Sequence, residues 1–237
     1  MPSIHPTASS DIVFISPNCK GVTKDWFKPD YWQAQQKLLK TATGRGTVWF
    51  VDSTLGPLVL RQYRRGGLVA KVNRFHFMTQ PLSATRPYQE LELLEFMHAK
   101  GLHVPQPVAG MVRRKGLFYQ AWLLTKQIPN AEDLFNVLQH TALNAADWQN
   151  IGATIKQLHA HNVYHSDLNC HNIMLDDQQK VWLIDFDKCY RDPEQRHWQT
   201  HNLERLKRSF DKESSRQSTF HFSEANWQQL LAGYHAD

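Results

Sequence analysis

The chain has 237 residues, 41% hydrophobic and 21% charged, which is typical of a folded globular protein and allows one large domain or two small lobes. The 27 Lys and Arg against 22 Asp and Glu give a net charge of +5, which favours anionic partners such as phosphates, nucleic acid or an acidic membrane surface. No apolar run approaches the roughly 18 residues of a membrane-spanning helix, and the first residues lack a signal peptide's basic and apolar segments. Three widely spaced cysteines argue against a disulfide framework. We therefore expect a cytoplasmic protein.

The first half of the chain is rich in predicted strands. Four apolar runs bounded by glycines or turn residues are typical of antiparallel strands joined by tight turns. These runs are residues 47–51, 58–60, 108–111 and 118–124. Residues 87–100 have apolar side chains at three-residue steps, which predicts one helix, and this helix carries Glu90. An aromatic segment at residues 26–32 is expected to pack against this half rather than to touch lipid.

Glycines and an arginine in this half are candidate phosphate-binding residues. Gly44-Arg45-Gly46 would let backbone N–H groups approach an anion closely, although the same pattern is typical of a hairpin turn. Arg61 follows the run 58–60, where a strand either aims the cation inward or leaves it exposed at an edge. The residues alone leave both alternatives open.

A break in the strand pattern at residues 125–129 predicts a lobe boundary, with one lobe at residues 1–125 and another at residues 126–237. Beyond it, residues 131–139 and 147–161 have the apolar spacing of helices. The expected fold class is α+β, with a strand-rich first lobe and a reduced helical second lobe.

Two polar clusters adjoin apolar runs within residues 165–187. Asp167 and Asn172 precede one run, Asp185 ends the next, and a predicted turn lies between the runs. Because a hairpin brings its ends together, we expect these three side chains to lie close to one another. Oxygens of Asn and Asp suit Mg²⁺, and an Asp outside the metal shell can deprotonate an attacking hydroxyl. The set predicts kinase-type phosphoryl transfer.

An alternative interpretation of the same stretch is a metallohydrolase. In it, His165, Asp167 and His171 would be ligands of Zn²⁺ or Fe²⁺. This alternative leaves Asn172 and Asp185 without a role.

In order and spacing, these motifs resemble the protein-kinase-like superfamily. The segment from His165 to Asn172, H-S-D-L-N-C-H-N, resembles the catalytic loop H-R-D-x-x-x-x-N, and Asp185-Phe-Asp187 resembles the metal-binding D-F-G. Leu-Val-Leu-Arg61 stands where V-A-I-K does. The helix before G-L-H-V-P resembles the αC helix of small-molecule kinases.

The kinase resemblance implies a role for each residue. Asp167 orients the acceptor hydroxyl and accepts its proton, and His165 supports the loop. Asn172 and Asp185 hold Mg²⁺ on ATP. The implied nucleotide-binding residues are Gly44, Arg45, Gly46, Arg61, Glu90, Thr125, Lys126 and Gln127, the last three through backbone contacts with adenine.

Three departures from the protein-kinase pattern narrow the range of substrates that we expect. Ser166 replaces the Arg that pairs with a phosphorylated activation loop, no A-P-E follows Asp187, and 50 residues remain after it. We therefore do not expect a peptide substrate. A heptose or aminoglycoside kinase, a small atypical protein kinase and a non-enzymatic nucleotide-binding module stay open as alternatives.

Four segments resemble, more narrowly, the 3-deoxy-D-manno-octulosonic acid (Kdo) kinases of lipopolysaccharide inner-core synthesis. They are V-L-R-Q-Y-R-R-G-G-L, L-L-T-x-x-I-P, Y-H-S-D-L-N-x-x-N-I-M-L and N-L-x-R-L-x-R-S. The resemblance implies ATP-dependent phosphorylation of the Kdo 4-hydroxyl on a lipid A precursor, by a peripheral protein at the cytoplasmic face of the inner membrane. It implies no nucleic-acid partner and no obligate protein partner. Candidate acceptor or membrane contacts, each with solvated surface as the alternative, are Arg64, Arg65, Asp187, Arg205 and Arg208.

Overall fold

Strands of the first half pair into one antiparallel sheet. The structure is a computed structural model, and it describes residues 3–6, 11–43, 47–64, 75–194 and 197–236. Within these ranges the sheet has eight strands: β1 Ser3–Pro6, β2 Asp11–Ile15, β3 Leu38–Thr43, β4 Thr47–Ser53, β5 Gly56–Gln62, β6 Phe77–Met78, β7 Pro107–Lys115 and β8 Phe118–Lys126. Their spatial order is β1-β2-β7-β8-β5-β4-β3, with β6 beside β8.

The second half is mainly helical. The helices of the described residues are α1 Pro29–Ala34, α2 Arg86–Ala99, α3 Leu134–His140, α4 Ala145–Ala160, α5 Trp198–Ser214 and α6 Glu224–His235. The short strands are β9 Glu132–Asp133, β10 Val163–Tyr164, β11 Ile173–Leu175, β12 Val181–Leu183 and β13 Tyr190–Arg191. The predicted α+β class, strand-rich and then helical, is confirmed. In the part of the chain that the structure describes, no helix has the length and apolar character to cross a bilayer.

The chain forms two compact units. The first consists of Met1–Phe96 and Gln106–Gln127, and the second of Met97–Pro105 and Ile128–Asp237. The strand β8 continues to Lys126 because this residue pairs with Leu58 of β5. The segment before Gln106 belongs to the second unit, where the Leu183 amide donates to His103 O at 3.0 Å. The proposed lobe bounds at residues 125 and 126 stay a prediction.

In the first unit, the side chains of β5 point alternately into the hydrophobic core and away from it. Leu58 and Leu60 of β5 are fully buried, in a core that includes Trp26, Phe27 and Trp32. These aromatic residues therefore pack inside the first unit, as expected. Because successive side chains of a strand point to opposite faces, Arg61 faces away from Leu60.

In the second unit, local hydrogen bonds set where the helices begin. The helix α3 begins at Leu134 and not at the predicted residue 131, because the Asp133 carboxylate accepts from the Asn136 amide at 3.1 Å and caps the helix. The helix α4 begins before its predicted start, because Asn144 and Asp147 form a capping box.

The helices α4 and α6 pack backbone to backbone at two glycines. A Cβ at Gly152 would lie 2.0 Å from Leu230 O, and a Cβ at Gly233 would lie 2.0 Å from Gln149 O. Each clash is with backbone, which cannot rotate away as a side chain can. The close approach therefore requires glycine at both positions.

We predict that Gly152→Ala destabilises the second unit, because the helices must separate to admit a methyl group. The expected loss in the free energy of unfolding is about 1–3 kcal/mol or more, measured by urea unfolding followed by tryptophan fluorescence. Ala232→Ser, at an exposed position of α6, is the control and should change stability by less than about 0.5 kcal/mol. Equal stability of Gly152→Ala and the wild type would contradict the packing.

Candidate active site

In the first unit, Arg61 forms an ion pair with Glu90 of α2. Its Nη2 atom lies 2.6 Å from both Glu90 carboxylate oxygens, and the Tyr63 hydroxyl donates to Oε2 at 2.5 Å. The Glu90 side chain is 4% exposed and the Arg61 side chain 24% exposed. A buried carboxylate needs such partners, since an unpaired one would be strongly destabilising. Of the two alternatives that the sequence left open for Arg61, the structure has the inward one, and the pair holds a cation at the end of β5.

Two backbone N–H groups of the predicted adenine-binding segment, residues 125–127, already donate hydrogen bonds within the first unit. The Lys126 amide donates to Gln106 O at 2.9 Å, and the Gln127 amide donates to Pro57 O at 3.1 Å. In this arrangement an adenine contact at Thr125, Lys126 or Gln127 would need other backbone groups of the segment. The contact stays a prediction.

Other candidates of the first unit are only partly described. Gly44, Arg45, Gly46 and Arg65 lie outside the described residues. Arg64 donates from Nη2 to the Thr47 hydroxyl at 2.7 Å and lies over the Phe75 ring at 5.1 Å.

In the second unit, the predicted hairpin brings Asn172 and Asp185 close together. The strands β11 and β12 pair with Ile173 opposite Leu183, and the Ile184 amide donates to Asn172 O at 3.0 Å. Asp185 follows directly and is exposed, with a left-handed φ of 63° that Asp tolerates better than most residues. This backbone turn leaves Asp185 at the surface and buries the next residue, Phe186.

Asn172 also ties the hairpin to Asp167. Its Nδ2 donates to the Asp167 carbonyl at 2.9 Å, so the carboxamide oxygen is the atom that could bind a metal ion. Asn169 donates to the same carbonyl at 2.7 Å. The resulting donor set, one carboxamide oxygen and the carboxylate of Asp185, consists of hard oxygens and fits Mg²⁺.

His165 is a structural residue of the loop. The Asp167 amide donates to its Nδ1 at 3.2 Å, so Nε2 carries the proton and donates to Ile184 O at 3.1 Å. The ring is fully buried, its centroid lies 4.9 Å from that of Phe186, and burial lowers its pKa. Both nitrogens are therefore used in holding the loop to the hairpin.

The same geometry argues against the metallohydrolase alternative. His165 has no nitrogen left for a metal, and His171 faces Glu213 at 3.6 Å. Across the described ranges, no three His, Cys, Asp or Glu side chains are arranged to hold a metal ion. Burial also raises the pKa of Cys170 to about 11, so this thiol is not a thiolate ligand or nucleophile near neutral pH.

One face of α5 contacts the catalytic loop along its length. The contacting residues recur every three or four positions, which places them on one side of the helix. From the start of the helix they meet loop residues in chain order: Trp198 with Tyr164, Asn202 with His165, Arg205 with Asp167, Ser209 with Cys170, and Glu213 with His171. The helix therefore positions the loop, a role that no sequence pattern indicated.

Asn202 makes the central contacts of this face and is itself held by a buried polar chain. Its Oδ1 accepts from the His165 amide at 3.2 Å, and its Nδ2 donates to His165 O at 3.0 Å. His159 Nε2 lies 3.3 Å from the same Oδ1, and His159 Nδ1 lies 2.8 Å from the Tyr234 hydroxyl. These distances assign the proton to Nε2, with Tyr234 donating to Nδ1.

The candidate acceptor residues of the second unit differ in their surroundings. Arg205 pairs with the Asp167 carboxylate. Arg208 is exposed and lies 3.7 Å from Glu204 on the same helix, which is typical of a solvated pair of little energetic weight. The Asp187 carbonyl accepts from the Ser166 hydroxyl at 2.7 Å, so this residue ties the hairpin end to the loop.

Known proteins resemble this chain over most of its length. The sequence model of the lipopolysaccharide kinase (Kdo/WaaP) family matches residues 29–234. The chain belongs to this family. A 3-deoxy-D-manno-octulosonic acid kinase of Vibrio vulnificus is 48% identical over 208 residues, 88% of this chain and 87% of that protein. Proteins of the same name from Photobacterium profundum and Pasteurella multocida are each 44% identical, over 89% of this chain and 89% and 90% of their own length.

Membership of the lipopolysaccharide kinase family makes the protein a phosphotransferase with a hydroxyl acceptor. The contacts of α5 also explain the segment N-L-x-R-L-x-R-S at residues 202–209. The sequence alone had indicated no role for its first residue, Asn202. Asn202, Arg205 and Ser209 are the residues of this segment that contact the loop. Their three- and four-residue spacing was visible in the sequence, but the loop as their partner was not.

We predict that Arg61→Ala weakens ATP binding, because it removes the cation that Glu90 holds at the end of β5. The KM for ATP should rise roughly 10- to 100-fold, the range for a lost charged hydrogen bond. Arg61→Lys should retain most of the affinity and should keep Glu90 paired. Lys115→Ala, which removes an exposed charge of the same unit, is the control. An unchanged affinity for ATP in Arg61→Ala would refute the role.

We predict that the second unit loses stability as the pH falls from about 6.5 to about 4, because burial lowers the pKa of His159 from 6.5 to about 4. In this window the unfolded chain binds the proton and the folded one does not, so acid favours unfolding. The contribution present above pH 6.5 and lost by pH 4 is about 3 kcal/mol. Urea unfolding at several pH values measures it.

His159→Gln is the matched variant for this measurement, because its amide can still donate toward Asn202 without titrating. The free energy of unfolding should fall less steeply with acid in His159→Gln than in the wild type. Burial also lowers the pKa of His165, so His165 contributes equally to the pH dependence of stability in both proteins. Identical slopes would show that His159 does not titrate as described.

Proposed function

We propose that this protein transfers the γ-phosphate of ATP to the 4-hydroxyl of Kdo on a lipid A precursor, in lipopolysaccharide inner-core synthesis. The observation that carries the proposal is the arrangement of Asp167, Asn172 and Asp185 on a loop and hairpin that α5 and His165 hold in place. The substrate is supported by relatives named 3-deoxy-D-manno-octulosonic acid kinase, each matched over most of its length. No observation favours a heptose, aminoglycoside or protein substrate over it.

In this proposal Asp167 is the catalytic base. Its carboxylate is partly exposed, while its backbone is fixed through the amide bond to His165 and the carbonyl bonds from Asn169 and Asn172. A side chain at the surface of a rigid backbone can orient an acceptor hydroxyl and accept its proton. His165 acts through the loop and touches no substrate.

Asn172 and Asp185 are the proposed ligands of Mg²⁺ on ATP, and Arg61 is the proposed cation for the ATP phosphates. Bound Mg²⁺ would neutralise charge that develops on the phosphoryl oxygens. Arg61, paired with Glu90, offers a fixed guanidinium that suits phosphate geometry.

We also propose that the protein works as a peripheral protein at the cytoplasmic face of the inner membrane. An acceptor built on lipid A is anchored in a bilayer, and the net charge of +5 favours approach to an anionic surface. Binding to vesicles that contain anionic lipid, absent with neutral lipid, would support this placement.

The decisive experiment offers Mg-ATP and a panel of acceptors to the purified protein. The panel consists of the Kdo-containing lipid A precursor, a heptosylated core, an aminoglycoside and casein, with mass spectrometry as the readout. We expect a gain of one phosphate on the Kdo-containing acceptor alone, mapped to the 4-hydroxyl by fragmentation. Phosphate on another acceptor, or on none, would refute the proposed substrate.

We predict that Asp167→Ala abolishes turnover and leaves ATP binding largely intact, because the carboxylate is proposed to act on the acceptor and not on the nucleotide. The matched control is Asp177→Ala, which removes an exposed carboxylate of the same unit and should retain full turnover. Turnover and nucleotide affinity are measured separately. Near-normal turnover in Asp167→Ala would be incompatible with a base at this position.

A further inference from the structure

The ion pair between Arg205 and Asp167 differs from the two contacts between α5 and the loop that flank it. It joins Arg205 Nη2 to Asp167 Oδ1, and the two side chains are 45% and 37% exposed. The contacts of Asn202 and Ser209 on either side involve loop backbone instead. Of the five N–H donors of a guanidinium, one is used in this pair among the described residues. Arg205 therefore has donors left for a further anion.

The backbones that carry the pair are fixed, whereas the side chains are not. One turn before Arg205, Asn202 holds His165 by two hydrogen bonds, and one turn after it Ser209 accepts from the Cys170 amide at 3.1 Å. The helix cannot move away from the loop without breaking these bonds. The pair can separate only by rotation of the two exposed side chains.

The pair restricts the proposed work of Asp167. A base must accept a hydrogen bond from the acceptor hydroxyl, and here one of the two carboxylate oxygens already accepts from Arg205, which holds the carboxylate toward α5. Separating the pair costs little while both side chains are in water, but a bound acceptor that covers Arg205 would leave the guanidinium without an anion and without water, which is costly. A second anion that takes the place of Asp167 removes this cost.

We infer that Arg205 is a specificity-determining residue that exchanges Asp167 for a carboxylate of the acceptor. The inference rests on the proposed function, in which the acceptor is a sugar acid. When the acceptor carboxylate binds Arg205, Asp167 is released to receive the reactive hydroxyl. A neutral sugar offers no replacement anion, so Asp167 stays paired and the neutral sugar is a poor acceptor.

The γ-phosphate of ATP is a second anion that could occupy Arg205. An experiment that changes only the acceptor distinguishes the acceptor carboxylate from the γ-phosphate as the anion that binds Arg205. If Arg205 binds the acceptor carboxylate, converting that group to its methyl ester removes its negative charge and weakens the contact. If Arg205 binds the phosphate, esterification of the acceptor does not change that contact.

The experiment compares the Kdo-containing lipid A precursor with its carboxyl methyl ester as acceptors for the wild type, Arg205→Gln and Arg205→Lys. Arg216→Gln, an exposed position just after α5, is the charge-matched control. In the wild type and the control, esterification should lower kcat/KM roughly 10- to 100-fold, the range for a charged hydrogen bond. In Arg205→Gln no guanidinium distinguishes the two acceptors, so the acid-to-ester ratio of kcat/KM should fall to roughly one, while the KM for ATP is unchanged.

Three outcomes would overturn the inference. They are an ester penalty that persists in Arg205→Gln, no penalty in the wild type, or a raised KM for ATP in Arg205→Gln, which would assign Arg205 to the phosphate. If Arg205→Gln does not fold, the acid-to-ester ratio of Arg205→Lys decides, with a penalty below that of the wild type expected. A wild type that phosphorylates neither acceptor, but does phosphorylate another class, refutes the proposed function instead.

Discussion

The two hydrogen bonds between the Asn202 carboxamide and the backbone of His165 determine where the catalytic loop lies. They use both the N–H and the C=O of one loop residue, so His165 can neither slide nor turn relative to α5. The neighbouring bonds through the His165 ring then fix Asp167 and the end of the hairpin. The placement of Asp167 and Asp185 therefore depends on this attachment, because their side chains lie at the surface and are not fixed by burial.

Two arginine–carboxylate pairs serve opposite purposes in the two units. Glu90 is buried and receives both Arg61 and Tyr63, so this pair is a fixed element that presents a cation. Asp167 and Arg205 are both partly exposed and share one contact, so little energy opposes their separation. The buried Arg61–Glu90 pair is therefore a fixed support, whereas the exposed Arg205–Asp167 pair is a contact that can be exchanged. The difference in burial explains the difference between the two pairs.

Periodicity and motif spacing predicted the α+β class, the hairpin and the proximity of Asn172, Asp167 and Asp185, because these depend on neighbours within about twenty residues of sequence. The start of α3 was misplaced because Asp133 acts as a cap, which apolar spacing does not register. The contacts of Asn202 and Tyr234 could not be predicted either. They join residues 37 and 75 positions away, and a polar residue on a helix gives no sign of the partner it will meet.

The close crossing of α4 and α6 at Gly152 and Gly233 has a consequence for biosynthesis. It seats Tyr234 beside His159, at the outer end of the polar chain that reaches Asn202 and the loop. Since α6 leaves the ribosome after every residue proposed for catalysis, the nascent chain presents these motifs before the loop has its full support. The polar chain that reaches the loop is therefore complete only once α6 has packed against α4.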